Sequence, residues 1–378
     1  MIKKRTNIDI TNPIKIILSG GGTGGHLFPA IAIADSFKEK YPDAKILFVG
    51  AKGKMEMEKI PEAGYDIKGL WISGFQRKNM IRNLSLAFKI ISSLIKSREI
   101  IKDFKPDVVV GTGGYASFTL VYVASLMKVP TLIQEQNFFP GVTNKFLSKR
   151  VNKICTVDES LKAFFPNEKI VVTGNPVRES IKEKKLSKEE SLKAFGLNKG
   201  KKTVLVIGGS LGARTINNSI LKGLDKLLAK DIQIIWQSGK FYFEELKTEI
   251  DKKDSKNIWL NAFIKDMSSA YSAADVVVSR AGAITLSELA ISEKVAILCP
   301  SPNVAEDHQT KNAMALVNKN AVAIIKDNEA EEKLADLILD IIFDKNKQEV
   351  FKQNISALAK PDSANEIVKE IEKLLIKE

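Results

Sequence analysis

Imidazole is the scarcest chemistry in this chain of 378 residues: only His26 and His308 carry it. Any imidazole acid–base step must use one of these two side chains. Cysteine is as rare. Cys155 and Cys299 stand far apart, in or beside apolar runs, which excludes a disulfide framework and reads as two buried thiols of a reducing compartment. So few sulfur and imidazole ligands, with no close pair, also argue against a structural zinc site. No apolar run reaches about 18 residues, so no membrane-spanning helix is expected. The basic start Met1-Ile2-Lys3-Lys4-Arg5 leads into polar residues and Pro13, which does not make an export signal. A cytoplasmic location, free or on the cytoplasmic face of a membrane, is the expectation.

Carboxylates are outnumbered. Lys and Arg total 58 against 45 Asp and Glu, a formal net charge of +13. That excess points to an anionic partner: nucleic acid, a membrane surface or a phosphorylated substrate. No nucleic-acid motif or aromatic-basic stacking platform accompanies it, so nucleic acid is disfavoured. The remaining composition, 44% hydrophobic and 27% charged, is that of a globular protein. At roughly 150 residues per domain the length allows two or three domains.

What is present is a rhythm. Short β-rich runs at 14–19, 45–49, 107–111, 131–134, 153–157 and 169–173 alternate with helical patterns such as 27–41, 83–104 and 118–127. A hydrophilic stretch, 179–202, interrupts as a linker and first element of a second domain. The alternation resumes at 203–207, 233–237, 257–260, 275–279, 295–299 and 321–325. Such alternation implies parallel βαβ units with helices on both faces of a sheet. Both halves open alike, each with a strand, a glycine-rich turn and a helix. The turns are Gly20-Gly21-Gly22-Thr23-Gly24-Gly25 and Gly208-Gly209-Ser210-Leu211-Gly212-Ala213. The expectation is an α/β protein of two doubly wound, Rossmann-like domains facing across a cleft, with ligands at the carboxyl ends of the strands.

Neither turn is a P-loop, which needs Gly-Lys-Ser/Thr. Each can bring backbone N–H groups and a helix N-terminus to an anion or sugar, or can serve only tight strand–helix packing. His26 ends the first turn, where it is suited to be a base or a structural cap. Ser210 in the second can donate a hydroxyl hydrogen bond. Arg280 can pair a phosphate. Glu288, early in the next helix, can accept from ribose hydroxyls or merely favour the helix dipole. The segment 75–105 mixes basic and apolar residues. Its approach loop, 75–82, reads as an interfacial anchor, and its later part as an ordinary amphipathic helix packed on the sheet.

Taken in order, Gly21-Gly22-Thr23-Gly24-Gly25-His26, Gly113-Gly114-Tyr115, Glu135-Gln136-Asn137, Gly174-Asn175-Pro176-Val177-Arg178, the 208–214 turn, Ser279-Arg280-Ala281-Gly282-Ala283 and Asp307-His308-Gln309 form a set. This set resembles the family of peptidoglycan N-acetylglucosaminyltransferases. They move N-acetylglucosamine from UDP to a lipid-pyrophosphate-linked muramoyl pentapeptide. The resemblance implies a glycosyltransferase B fold, an inverting transfer, and no metal or other cofactor; no Asp-x-Asp motif stands at a suitable strand end. It implies an acceptor- and membrane-binding domain over 1–178, rejoined by a last helix over about 356–378, and a UDP-sugar domain over 179–355.

The resemblance also implies site residues. His26 is the first choice as catalytic base, because imidazole titrates near neutral pH. Donor-binding residues would be Thr23, Gly24, Gly25, Asn137 and Arg178, with Ser210 on the pyrophosphate. Ile264 would read uracil through its backbone. Ala283, Ile284, Thr285, Leu286, Ser287 and Glu288 would surround the α-phosphate and ribose, and Gln309 would read the sugar hydroxyls. Tyr115, Glu135, Arg77, Lys78, Met80 and Ile81 are acceptor or membrane candidates. The implied partners are UDP-N-acetylglucosamine, the undecaprenyl-pyrophosphoryl-muramoyl-pentapeptide and an anionic membrane surface. Two positions depart from the pattern. Gln134 stands where the family often has His, and Phe118-Thr119 where it often has Gly-Pro. The same fold also serves nucleotide-sugar epimerases and natural-product glycosyltransferases, which are the alternatives.

Overall fold

The structure is a computed structural model that describes residues 13–74, 85–183, 186–209, 211–253 and 256–376. The chain divides into two units, Met1–Val177 with Asp362–Glu378, and Arg178–Pro361. Each is built on one parallel sheet.

In the first unit the strands are β1 (Lys15–Gly20), β2 (Lys45–Ala51), β3 (Asp66–Leu70), β4 (Val108–Gly113), β5 (Thr131–Glu135), β6 (Lys153–Thr156) and β7 (Ile170–Val172), in spatial order β3-β2-β1-β4-β5-β6-β7. The central strand β1 buries Ile16, Ile17 and Leu18 completely, as a parallel strand covered on both faces must. Alternation sorts the side chains. Ile17, Val109 and Ile133 enter one layer, while Ile16, Leu18, Val108, Val110 and Leu132 enter the other. The helix Gly24–Lys40 closes that second layer with Leu27, Ala30, Ile33, Ala34 and Phe37. The last helix, Ser363–Leu375, adds Ile367, Val368 and Ile371 to the same layer. Tyr41 Oη donates to Glu372 Oε1 at 2.9 Å alongside.

The second unit has β8 (Thr203–Ile207), β9 (Gln233–Gln237), β10 (Ile258–Asn261), β11 (Val276–Ser279), β12 (Val295–Leu298) and β13 (Ala323–Ile324), ordered β10-β9-β8-β11-β12-β13. Its core packs Val204, Val206, Trp236, Val276 and Val278 against helices Arg214–Leu228 and Ala330–Phe343. Trp236 satisfies its buried indole by donating Nε1–H to Asn217 Oδ1 at 3.0 Å.

The structure refines four of the sequence expectations. β3 had no assigned strand; Asp66-Ile67-Lys68-Gly69-Leu70 is a half-exposed edge with little apolar signal. The hydrophilic stretch after 178, read as a linker and first element of a second domain, supplies regular elements. It forms helices Glu179–Glu183 and Lys188–Ala194, the latter opened by a reciprocal Ser187–Glu190 capping box. The return to the first unit begins at Asp362 rather than near 356, because helix Lys345–Ser356 sinks Phe351 into the second unit's core. The helix Leu86–Phe104 packs on the first unit's core, as expected of its later part, but by a narrow face. It buries Ser93, Ser97, Ile100 and Ile101, and leaves Phe88, Ile91 and Ile95 at 70%, 56% and 57% exposure.

Candidate active site

In both sheets the strand order reverses once, between β1 and β4 and between β8 and β11. Ligands of doubly wound folds bind at such switch points, beyond the strand carboxyl ends. Both glycine turns leave a strand there.

In the first unit Thr23 caps the helix Gly24–Lys40 with extended backbone (φ −147°). Gly24 and Gly25 then form its first turn, whose N–H groups have no intrahelical acceptor. The turn is fastened from two sides. Glu56, buried, accepts from Gly22 N and Ala51 N, each at 3.0 Å. Thr112 on β4 donates its hydroxyl to the His26 carbonyl at 2.7 Å. Gly113 and Gly114 follow with φ of +104° and +89°. A Cβ on Gly113 would come within 2.7 Å of His26 Nδ1, and one on Gly114 within 2.5 Å of the Gly21 carbonyl oxygen. Only glycine permits this backbone and this approach.

The His26 ring is half-buried, and its Nδ1 lies 3.0 Å from Gln136 Oε1. Among the described residues its Nε2 has no hydrogen-bond partner. Behind Gln136 stand Gln134 and Asn175, all three buried. Gln136 and Asn175 lie within the motifs Glu135-Gln136-Asn137 and Gly174-Asn175-Pro176-Val177-Arg178, which by themselves assign neither a role. Their signal was there: amides at a strand end and beside it, too polar for a core unless paired.

Glu135 uses both oxygens within its own loop. Oε1 accepts from Asn137 N and Nδ2 at 3.0 and 3.1 Å, and Oε2 from Gly141 N and Asn144 Nδ2 at 3.1 and 2.9 Å. The carboxylate thus orders residues 135–141 and holds Asn137 in place. Tyr115 is partly exposed at the start of its helix, packed so closely on Gly74 that a Cβ there would reach within 2.0 Å of the Tyr115 hydroxyl. Arg77, Lys78, Met80, Ile81 and Ser210 lie outside the described residues.

The second unit organises its site differently. Gln237, at the end of β9, donates Nε2–H to the Gly209 carbonyl at 3.0 Å and accepts the Ile264 N–H at 2.9 Å. One neutral amide therefore joins the glycine turn to the buried Ile264, whose N–H is already used. Ala283, Ile284 and Thr285 form the first turn of helix Ala283–Ile291. Leu286 is buried in the core, its N–H bonded to Gly282 O at 3.0 Å, and Ser287 donates its hydroxyl to Ala283 O at 3.3 Å. Glu288 is buried too. It accepts from Arg178 Nε at 3.2 Å and from Tyr271 Oη at 3.1 Å. Tyr271 was missed, since nothing in its sequence neighbourhood distinguishes it from a core aromatic. Burial, then the Glu288 charge and hydrogen bond, push its phenol well above the ordinary tyrosine range.

Arg280 is engaged with the loop after β12. Its Nη1 donates to the Cys299 and Pro300 carbonyls at 3.0 and 3.2 Å and pairs with Asp327, bracing the loop after β12. Burial beside that pair pushes the Cys299 thiol up to about 12, so it is an inert core sulfur. Further along, Glu306 and Asp307 both take left-handed backbone (φ +56° and +51°) before helix His308–Val317. Two such non-glycine residues in succession are strained and cluster at functional sites. Gln309 accepts the Ser301 N–H at 2.9 Å, pinning that loop with its oxygen. Among the described residues no group of three or more His, Cys, Asp or Glu could hold a metal ion.

Each unit thus has the doubly wound α/β scaffold on which many ligand-binding enzymes are built, and comparison with known proteins gives the class. The glycosyltransferase family 28 N-terminal domain matches residues 16–156, and the family 28 C-terminal domain matches residues 203–370. The chain is 51% identical over 362 residues to the UDP-N-acetylglucosamine–N-acetylmuramyl-(pentapeptide) pyrophosphoryl-undecaprenol N-acetylglucosamine transferase of Phocaeicola vulgatus, covering 96% of each. It is 52% identical to the protein of that name from Flavobacterium psychrophilum, over 96% of this chain and 98% of that one. The crystal structure of Acinetobacter baumannii MurG superposes with a TM-score of 0.76 at 27% identity, over 96% of this chain and all of that one. The chain belongs to glycosyltransferase family 28, within the group of N-acetylglucosamine transferases that carries this name.

Proposed function

We propose that this chain transfers N-acetylglucosamine from UDP-N-acetylglucosamine to the 4-hydroxyl of a lipid-linked N-acetylmuramoyl-pentapeptide, in one inverting displacement. The observation that carries the reading is the end-to-end identity with enzymes of that name. The site chemistry supports the roles. His26 Nε2 takes the proton of the acceptor hydroxyl as its oxygen attacks the anomeric carbon. The bond to UDP breaks, and its electron pair leaves on the β-phosphate. Backbone N–H groups of the 208–213 turn, the Ser210 hydroxyl and the start of helix Ala283–Ile291 meet that charge without a metal or cofactor.

Glu288 accepts the ribose hydroxyls, and Arg178 stands beside it where the UDP phosphates compete for its guanidinium. Ile264 reads the base through its carbonyl, since its N–H is bound to Gln237. Gln309 keeps its amide nitrogen for a sugar hydroxyl. Thr23, Gly24, Gly25 and Asn137 complete the donor contacts, and Tyr115 with the Glu135 loop serves the acceptor. The acceptor's lipid implies a membrane surface. Trp71, Phe88, Ile91 and Ile95, exposed beside Lys89 and Lys96, offer an apolar face with cations at its edge. No helix among the described residues is long and apolar enough to cross a membrane.

The test is transfer of labelled sugar from UDP-N-acetylglucosamine to a lipid-linked muramoyl-pentapeptide, with UDP-glucose as competing donor. Product should form with the first donor, with chelator present, and not with the second. Conversion of the donor in the absence of acceptor would instead identify an epimerase. Vesicles containing anionic lipid should sediment the wild type, and Phe88→Glu with Ile95→Glu should release it. Undiminished sedimentation would remove that helix from the docking face.

A further inference from the structure

We propose that Gln136 is the positioning residue that fixes the tautomer of His26, at the end of a chain of three buried amides anchored on the backbone. This rests on the reading of His26 as the base. The direction of each hydrogen bond follows from the one before it. Asn175 Nδ2 donates to the main-chain carbonyl of Gln136 at 3.0 Å. Its other end, Oδ1, therefore faces Gln134 and accepts from Gln134 Nε2 at 2.9 Å. Gln134 Oε1 in turn faces Gln136 and accepts from its Nε2. The same Nε2 also reaches Thr112 O at 2.8 Å and Gln134 O at 3.2 Å. Three oxygens around one amide nitrogen forbid the reversed amide, which would set oxygen against oxygen. Gln136 Oε1 is thus left toward His26 Nδ1, at 3.0 Å, and it can only accept.

The consequence is chemical. A neutral imidazole that donates from Nδ1 carries its lone pair on Nε2, the nitrogen with no hydrogen-bond partner among the described residues. The ring's seat against Gly113 keeps it there. The chain is neutral from end to end, and its members are 2%, 0% and 1% exposed for Asn175, Gln134 and Gln136. A carboxylate in Gln136's place would also fix the tautomer, but would favour the charged ring beforehand. The amide does not. When Nε2 takes the hydroxyl proton, the Nδ1–H bond to Gln136 survives unchanged, so the transfer needs no rearrangement of the site. Gln134, at the position where the family often has His, is the second link of this chain.

The experiment is nitrogen NMR of the full chain labelled with 15N-histidine. With only two imidazoles, the His26→Ala variant identifies the His26 signals. In the wild type the neutral ring should show a protonated Nδ1 and an unprotonated Nε2. A proton on Nε2, or an average of the two tautomers, would overturn the proposal. Gln136→Met should give such an average. It should lower kcat by about tenfold or more, within the roughly 10²–10⁴-fold that a positioned base supplies, with KM for the donor unchanged. Gln134→His, whose ring can donate to Asn175 and accept from Gln136, should keep both tautomer and kcat, whereas Gln134→Leu, which leaves only the two main-chain carbonyls to hold the Gln136 nitrogen, should fix the tautomer less completely and lower kcat. Equal behaviour of these two would count against the chain. If Gln136→Met does not fold, the wild-type spectrum and the Gln134 pair still decide. A wild type that fails to transfer sugar but shows the Nδ1–H tautomer refutes the function and leaves this assignment standing.

Discussion

The two units open with the same strand, glycine turn and helix, yet brace that turn in opposite ways. In the first, the turn's N–H at Gly22 is already given to the buried Glu56 carboxylate. In the second, the turn is held through a carbonyl, Gly209 O, by the neutral Gln237. A buried carboxylate at a glycine turn repels a phosphate; a neutral amide leaves the N–H groups and the helix dipole available to one. The acidic partner in the second unit, Glu288, stands instead on the neighbouring helix, partnered by Arg178 and Tyr271. Under the proposed function the same local motif is a nucleotide cradle in the second unit and a platform for an imidazole in the first, and the two braces suit those roles.

The comparison can be broken at both ends. The largest effect should come from His26→Ala, which should lower kcat by about 10²–10⁴-fold while leaving UDP binding intact. Calorimetry with UDP checks the second half, and lost UDP affinity would move His26 into the donor site. Next, Gln237→Glu should give the second turn the character of the first. UDP should bind about tenfold or more weakly, roughly 1.4 kcal/mol or above, although the Ile264 N–H keeps its acceptor. Unchanged affinity would show that the brace's charge is irrelevant.

Tyr271→Phe should cost about 1–3 kcal/mol by removing a donor to a buried carboxylate. Because the folded state holds this phenol protonated above its ordinary range, its contribution is whole below about pH 10 and fades as pH rises through the folded value. Denaturant titrations of both proteins should therefore converge at alkaline pH; a constant gap would exclude the Tyr271–Glu288 bond as its source. Glu56→Gln should have the smallest effect on ligand binding. One oxygen still accepts from the turn while the new amide nitrogen faces the Ala51 N–H, so stability should fall by about 1–3 kcal/mol and UDP affinity should stay as it was.

Legibility followed range. The strand–turn–helix openings were plain in sequence because glycine spacing and β-branched runs are local signals. The candidate site residues Thr23 to Gly25 and Ala283 to Glu288 came instead from the family resemblance of the ordered motifs. Leu286 shows the limit of such reading: a residue in the right helix turn can still face the core. Helix Leu86–Phe104 shows another. Phe88, Ile91 and Ile95 recur at helical spacing, and periodicity alone cannot tell a core-facing stripe from an exposed one. The buried face carries small Ser93 and Ser97 together with Ile100 and Ile101.

By itself the sequence determined the class of fold, the two switch-point turns and the scarcity that leaves His26 as the imidazole of the first turn. Only the tertiary structure decided what that imidazole can do. Gln134 comes from the end of β5, Gln136 from just beyond it, Thr112 from β4 and Asn175 from beyond β7. They meet because parallel strands align their carboxyl ends at one edge of the sheet, and no local pattern encodes a hydrogen bond between residues that the chain itself keeps far apart.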